Sequence, residues 1–222
     1  MWKKMRKKII KILREKDVGS IGIGAMIVFI SMVLVAGIAA SVLITTSSRL
    51  EMQALNTGQE TIAEVGSGLK VECVEGYNES GAVTKLAVEV APRAGSPDLD
   101  LGQTIVEISD SDNKFILRYG NSLCSAANIN GDVFGVSNFG DADDFDLVVM
   151  QDADGSCTQT TPVMNFGDHV IIAINASAVF SSNSGINPRA DVSGMVVVEE
   201  GAPGIIGFTT PSSYSETVME LQ

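Results

Sequence analysis

Hydrophobic and polar positions give this 222-residue chain three textures. The first runs from Ser20 to Ser48, SIGIGAMIVFISMVLVAGIAASVLITTSS, with no Asp, Glu, Lys, Arg or His over 29 positions. At about 1.5 Å per residue, a helix of that length spans roughly 43 Å, more than the ~30 Å hydrocarbon core of a bilayer. Most of the run is apolar all round, the pattern of a helix buried in lipid or inside a bundle. Past Ser48 the pattern turns amphipathic. Leu55, Ile62 and Leu69 recur every seven residues with Gly58 and Val65 between them, flanked by Arg49, Glu51, Gln53, Glu60 and Glu64. This heptad-like seam predicts a helix that continues over 20–70 and breaks near Gly66-Ser67-Gly68. Such a seam suits a helix packed among other helices, and equally one docked on its own domain.

From Leu69 onward the third texture is β. Short runs rich in Val, Ile, Phe and Thr are separated by Gly, Asn, Asp and Pro: LKVECVEG, AVTKLAVEV, TIVEIS, KFILRY, FDLVVMQ, HVIIAIN, MVVVEE and GIIGFTT. LAVEV and KFILRY alternate apolar with other residues, as half-buried strands do. That many closely spaced strands predict an all-β head over 71–222, an immunoglobulin-like β-sandwich. The expected class is therefore α+β, a long N-terminal hydrophobic helix followed by the head.

Small residues add a second property to the apolar run. Gly22, Gly24, Ala36, Gly37, Ala40 and Ser41 lie within it, and Ala36/Ala40 and Gly37/Ser41 are spaced small-xxx-small. That spacing lets helix backbones approach closely, so the segment can sit in a membrane and also pack against copies of itself.

Charge fixes the orientation. The chain carries a formal −12, but residues 1–19 hold eight basic residues against two acidic. A basic leader before an apolar run, with an acidic domain behind it, predicts a cytoplasmic residue 1–16 segment and an exported remainder. The acidic head is a poor match to nucleic acid, which demands clustered Lys and Arg. Three cysteines (Cys73, Cys124, Cys157) cannot build a disulfide framework. At most one pair can form, with Cys124–Cys157 the candidate if their loops meet. A single histidine, His169, at a strand entrance, and no nucleophile–base constellation argue against catalysis.

Residues 1–19 resemble no ordinary secretory leader, whose cleavage site comes after the apolar region; here the basic segment ends in Asp17-Val18-Gly19, before that region begins. Gly22–Ile44, GIGAMIVFISMVLVAGIAASVLI, instead resembles the amino-terminal signature of archaeal flagellins, the archaellins. The resemblance extends to APRAGSPDLDL (Ala91–Leu101), QDADGS (Gln151–Ser156), PVMNFGD (Pro162–Asp168) and EEGAPGIIGFTTPSSY (Glu199–Tyr214), while residues 120–146 have no counterpart. It implies a type IV prepilin-like leader, residues 1–19, cut between Gly19 and Ser20. Bacterial type IV pilins share that logic but usually carry Glu at the fifth mature position, where Gly24 stands here.

The resemblance implies a subunit of the archaellum, the archaeal motility filament, polymerising through its N-terminal helix. It implies other archaellins as partners, with a prepilin-like leader peptidase, an export ATPase with its membrane platform protein, and a glycosylation enzyme. The precursor is expected in the cell membrane and the product in the extracellular filament. The rivals are an archaeal adhesive pilin and a membrane-anchored surface binding protein, the latter predicting an intact leader and no polymer. A surface hydrolase stands further off.

Two further features are expectations about the head. Asn78-Glu79-Ser80 and Asn175-Ala176-Ser177 are the two N-x-S/T sequons; Asn78, in the polar loop GYNESG, is the better glycosylation candidate. Asp141, Asp143, Asp144 and Asp146 offer hard oxygen ligands for Ca²⁺, although Phe145 breaks the spacing of an EF-hand loop. Asp152-Ala153-Asp154-Gly155 is explained by an Asx turn.

Overall fold

The computed structural model describes residues 2–111, 113–181 and 184–222; for residues 3, 4, 8, 9, 11–20, 63 and 126 the description covers the backbone only. The chain divides into two compact units, 1–58 and 59–222. Helix α1 runs Trp2–Gly66, through the whole apolar run and the amphipathic stretch, and ends where the Gly66-Ser67-Gly68 break is expected.

Among the described residues the second unit carries eleven strands: β1 (Leu69–Glu79), β2 (Ala82–Pro92), β3 (Leu99–Asp100), β4 (Ile105–Asp110), β5 (Lys114–Ser125), β6 (Asp144–Gln151), β7 (Val163–Met164), β8 (His169–Ile174), β9 (Asp191–Val197), β10 (Gly204–Thr209) and β11 (Val218–Glu220), with a short helix α2 (Ala176–Val179). Nine form one sheet in the order β10-β9-β4-β5-β6-β8-β2-β1-β11, and β3 pairs with β7 alone. Within the sheet β5 and β6 run parallel and the other paired strands antiparallel.

The expected β-rich head is present, and its two layers are one continuous sheet curled round a single core. A Cβ on Gly204 of β10 would lie 2.7 Å from Leu69 Cδ2 and 2.9 Å from Val71 Cγ2 of β1, so strands from opposite ends of the sheet nearly touch. Inside stand Leu69, Leu86, Leu117, Phe145, Leu147, Ile172 and Ile206, all essentially inaccessible. Period-two alternation puts them there: Leu86, Val88 and Val90 of β2 point inward together.

Residues 129–139, for which the sequence suggested nothing, cover part of the sheet's outer face. Phe134 packs there with Ala87, Cys124, Val148, Ile171 and Ala173. Its ring lies 5.4 Å from that of Tyr77 and 6.0 Å from that of Phe139. Lys85 Nζ donates to the Phe134 carbonyl at 2.6 Å and sits 4.7 Å from the Phe139 ring centre. That pairing gives the ammonium both a carbonyl and an aromatic face.

Candidate functional site

Helix α1 is long and apolar enough to cross a membrane from Ile21 onward. Its large apolar side chains are uncovered all round, from Ile21 (72 % exposed) to Ile44 (67 %). Ala36, Ala40 and Ser41 are likewise exposed. Nothing stands within 4 Å of the place a side chain would occupy at Gly22, Gly24, Gly37 or Gly58. The closeness those small residues permit is therefore not used within one chain. Three hydroxyls in the run are satisfied by the helix itself: Ser31 Oγ donates to the Ile27 carbonyl at 2.8 Å, Thr45 Oγ1 to that of Ser41 at 2.8 Å and Thr46 Oγ1 to that of Val42 at 2.9 Å. Hydroxyls so engaged enter an apolar medium without the cost of an unpaired donor.

The seam beyond the apolar run is also open. Leu55, Ile62 and Val65 are exposed, which leaves Ile62 and Val65 undocked on the head. Leu69 departs from the expectation. It is the first residue of β1 and fully buried in the head's core, because the chain has left the helix three residues earlier. The Gly19–Ser20 junction lies outside the residues whose side chains are described.

Between helix and sheet the chain is clamped. Arg93 N–H donates to the Gly68 carbonyl at 2.9 Å, Ala202 N–H to that of Ser67 at 2.9 Å, and Leu69 N–H to that of Ala202 at 3.1 Å. Gly68 sits at φ +132°, with Ala202 O only 2.2 Å from where a Cβ would stand.

Two carboxylate groups occupy the head. Asp141, Asp144 and Asp146 line one small cavity with Gly120 and Ser122; Asp143 is exposed, and its carbonyl accepts from Arg118 N–H at 3.1 Å. Burial, reinforced by Asp144 and Asp141, pushes the Asp146 carboxyl above its usual range. The tighter group lies elsewhere. Oxygens of Asp152, Asp154 and Asp168 gather within 4.8 Å of one another. The expected Asx turn is there, with Gly155 N–H donating to Asp152 Oδ1 at 2.7 Å, and it aims both carboxylates at Asp168. Asp168 Oδ2 accepts from Asn165 N–H at 2.9 Å, while its buried Oδ1 has no partner. Three carboxylates this close, one of them with a buried oxygen that has no partner, are a donor set that fits a hard divalent cation such as Ca²⁺.

The thiols of Cys73, Cys124 and Cys157 are all free, so the candidate Cys124–Cys157 pair is not formed. Cys73 donates to Glu89 Oε2 at 3.3 Å, and His169 Nδ1 lies 3.2 Å from Glu89 Oε1. One carboxylate thus meets the thiol through one oxygen and the imidazole through the other, so the thiol's partner is Glu89 and not the imidazole. Burial and Glu89 push the Cys73 thiol up to about 12, leaving it protonated and a poor nucleophile. His169 opens β8, at the strand entrance the sequence indicates.

The family model for archaeal-type flagellin matches residues 19–208. The chain belongs to the archaeal-type flagellin family. It is 44 % identical to Flagellin B2 of Methanocaldococcus jannaschii over 222 residues, spanning 97 % of this chain and 100 % of that protein. It is 37 % identical to Flagellin B3 of Thermococcus kodakarensis, spanning 93 % of this chain and 98 % of that one. The crystal structure of archaeal flagellin FlaB1 from M. jannaschii superposes with a TM-score of 0.65 at 36 % identity, over 70 % of this chain and 97 % of that chain. A subunit of the archaeal flagellum of Methanospirillum hungatei shares the fold, with a TM-score of 0.60 at 16 % identity over 89 % of this chain and 98 % of its own.

The two sequons of this flagellin differ in setting. Asn78 lies within β1, one residue before its end and not in a free loop, and its Oδ1 accepts from Gly81 N–H at 3.1 Å while its Nδ2 donates to the Glu216 carbonyl at 3.2 Å. Asn175 caps α2, its Oδ1 accepting from Ala178 N–H at 3.2 Å and from Ser177 Oγ at 2.7 Å. Asp168 is the flagellin residue that sequence reasoning missed. It lies in the PVMNFGD segment, 14 positions beyond Asp154, and only the fold brings them together.

Proposed function

We propose that this flagellin is the repeating structural subunit of the archaeal motility filament, and not an enzyme. The observation that carries the reading is α1: an apolar surface continuous from Ile21 to Ile44, then an apolar seam through Leu55, Ile62 and Val65, whose side chains are all exposed. The precursor waits in the membrane, a prepilin-like peptidase cuts Gly19–Ser20, and the helix moves from lipid into the filament core. Lipid tails are as apolar as Leu, so the gain on leaving them comes from close helix packing at Gly22, Gly24, Ala36, Gly37, Ala40, Ser41 and Gly58. The export ATPase and its platform protein drive the transfer, and the heads form the extracellular surface. The inert Cys73 thiol and the misordered Cys73–Glu89–His169 row support the non-enzymatic reading.

Two modifications of the head belong to the same proposal. Asn78, then Asn175, accept glycan from a glycosylation enzyme after export. Ca²⁺ binds the head, at Asp152, Asp154 and Asp168 before the Asp141, Asp143, Asp144 and Asp146 group, since the former offers the orphaned buried oxygen. Mass spectrometry of sheared surface filaments tests the reading: the subunit begins at Ser20 and carries added mass on the Asn78 peptide. Filaments built from chains that keep Met1, or none containing this chain, overturn it.

A further inference from the structure

Past the apolar run, charge is distributed unevenly along helix α1. At about 100° per residue, Arg49, Gln53, Asn56, Glu60 and Glu64 fall within roughly 80° of one another. The apolar seam of Leu55, Ile62 and Val65 lies on the opposite side. This polar stripe is basic where it leaves the apolar run and acidic where it nears the head. Arg49, Glu60 and Glu64 are all exposed.

Arg49 has no counter-charge on its own helix. The positions a helical side chain meets are three and four residues away, and here they are Thr45, Thr46, Met52 and Gln53. Glu51 stands about 200° away round the helix. Glu60 and Glu64 share the stripe but lie roughly 16 and 22 Å further along the axis. Among the described residues the ion pairs are Lys70–Glu72, Lys114–Glu107 and His169–Glu89, and none involves the stripe. Membrane insertion gives the charge no use either. Basic residues hold orientation from the cytoplasmic side, and on the filament reading Arg49 stands on the exported side.

The acidic end is also unbalanced, and it is concave. Glu60, Glu64, Glu199, Glu200 and Gly201 line a cleft of about 320 Å³. Lys70 is taken by Glu72, and Arg93, bonded to Gly68 through its backbone, makes no ion pair with these glutamates. Beside Gly201 is an unmet polar group. Ser67 Oγ is buried, has no hydrogen-bond partner among the described residues, and lies 2.6 Å from where a Cβ on Gly201 would stand. The carboxylates that gather tightly enough for one metal ion are Asp152, Asp154 and Asp168, not these. Spread carboxylates suit a planar cation with several N–H donors, which a guanidinium is.

We propose that Arg49 of one copy seats in the Glu60–Glu64–Glu199–Glu200 cleft of a second copy of this chain, an inference that rests on the filament reading above. Copies delivered from one membrane in one orientation lie parallel, so the contact needs only an axial shift. A shift of roughly 16–22 Å brings Arg49 level with Glu60 and Glu64 of its neighbour. Base and acid lie at different places on the chain, so the contact is heterologous and propagates instead of closing a dimer. Seam and stripe then meet different neighbours, and packing leaves no unpaired charge on the stripe.

The test uses full-length chains in a host that assembles filaments. Arg49→Glu sets like charges together at every contact. It is expected to raise the unpolymerised subunit in equilibrium with filaments at least about tenfold. Adding Glu60→Arg and Glu64→Arg to the same chain restores opposite charges with reversed polarity and is expected to return assembly toward the parent. These side chains are exposed, so the head's Tm is expected to stay at the parent value in each variant. A chain carrying Arg49→Cys with Glu60→Cys, or with Glu64→Cys, reads the geometry. The two positions are too far apart on one helix to join. Mild oxidation of intact filaments is therefore expected to give a ladder of linked subunits that neither single substitution gives. Charge rescue or the ladder supports the contact. Parent-level assembly by Arg49→Glu, or the absence of both rescue and ladder, overturns the inference and leaves the filament reading intact. A parent chain that forms no filaments removes both.

Discussion

The backbone N–H of Gly207 donates to Gln222 Oε1 at 2.7 Å, and the same amide's Nε2 donates to the Ile205 carbonyl at 3.2 Å. Gln222 also pairs through its backbone, its carbonyl accepting from Val74 N–H at 3.1 Å. One residue therefore joins β10, at one end of the nine-stranded sheet, to β1 near the other, where no ladder of strand pairing does so. Gln222→Ala removes both side-chain bonds and leaves the backbone contact. Both bonds are exposed and each is worth about 1 kcal/mol or less. The expected loss is about 1 kcal/mol, a fall of roughly 2–4 °C in Tm for a protein of this size. A melt of the detergent-solubilised protein reads it; an unchanged Tm shows that β10–β1 packing alone holds the curl.

The clamp at the helix exit makes a larger prediction. At Gly68 both φ (+132°) and space forbid a side chain, since a Cβ would stand 2.2 Å from Ala202 O and 2.4 Å from Ala202 N. These are backbone atoms, and Ala202 is itself bonded to Ser67 and Leu69, so it has no room to move aside. Gly68→Ala is expected to cost more than about 3 kcal/mol, the combined effect of backbone strain and overpacking. Circular dichroism would show a head melting well below the parent. Gly81→Ala is the control: its φ is also positive, but nothing lies within 4 Å, so only the smaller conformational cost remains.

Much of this head is legible in the sequence, and the limits are physical. Leu86, Val88 and Val90 alternate with Ala87 and Glu89, and the chain pairs as that alternation demands. The strands missed are β3 and β7, two residues each, and β11, three residues; none is long enough to show a period. Leu69 fits the seven-residue spacing of Leu55 and Ile62 yet belongs to the sheet, because a spacing rule cannot see that Gly66-Ser67-Gly68 has already redirected the chain. Asp152 and Asp154 announce their turn locally. Their convergence with Asp168 depends on where β6 ends and β8 begins, which no local pattern encodes. The uncovered helix surface, by contrast, follows directly from composition.

Asp146 gives a pH prediction. Burial first, then Asp144 and Asp141, hold its carboxyl above the usual range, so the folded chain binds that proton more tightly than the unfolded chain. Stability from this group is then lost as pH rises from the ordinary carboxylate value through the raised folded value, the reverse of a salt-bridged Asp. In chelator, Asp146→Asn is expected to raise Tm at neutral pH and flatten this part of the profile. Calcium bound at Asp146 reverses the ranking when the ion is added. Calcium bound only at Asp152, Asp154 and Asp168 raises the Tm of both proteins equally, since an ion that binds the native state stabilises it by mass action.

The final prediction separates assembly from membrane residence. Ile62 lies beyond the apolar run and is 74 % exposed, with Leu55 at 61 % and Val65 at 73 % on the same helix. Insertion depends on residues 21–44, and folding of the head does not use a side chain so open. Under the proposed assembly the seam faces neighbouring helices, where Asp would bury an unpaired charge at a cost on the order of several kcal/mol, like that of breaking a buried ion pair. Every subunit repeats that cost. Ile62→Asp is therefore expected to leave membrane insertion, cutting at Gly19–Ser20 and the head's Tm unchanged while abolishing filaments, with Ile62→Leu assembling normally. Electron microscopy of sheared surface material, alongside a blot for the matured chain in membranes, gives both readouts. Normal filaments from Ile62→Asp would show that this stretch of the helix stays solvent-facing in the polymer, and would confine the assembly interface to the apolar run before it.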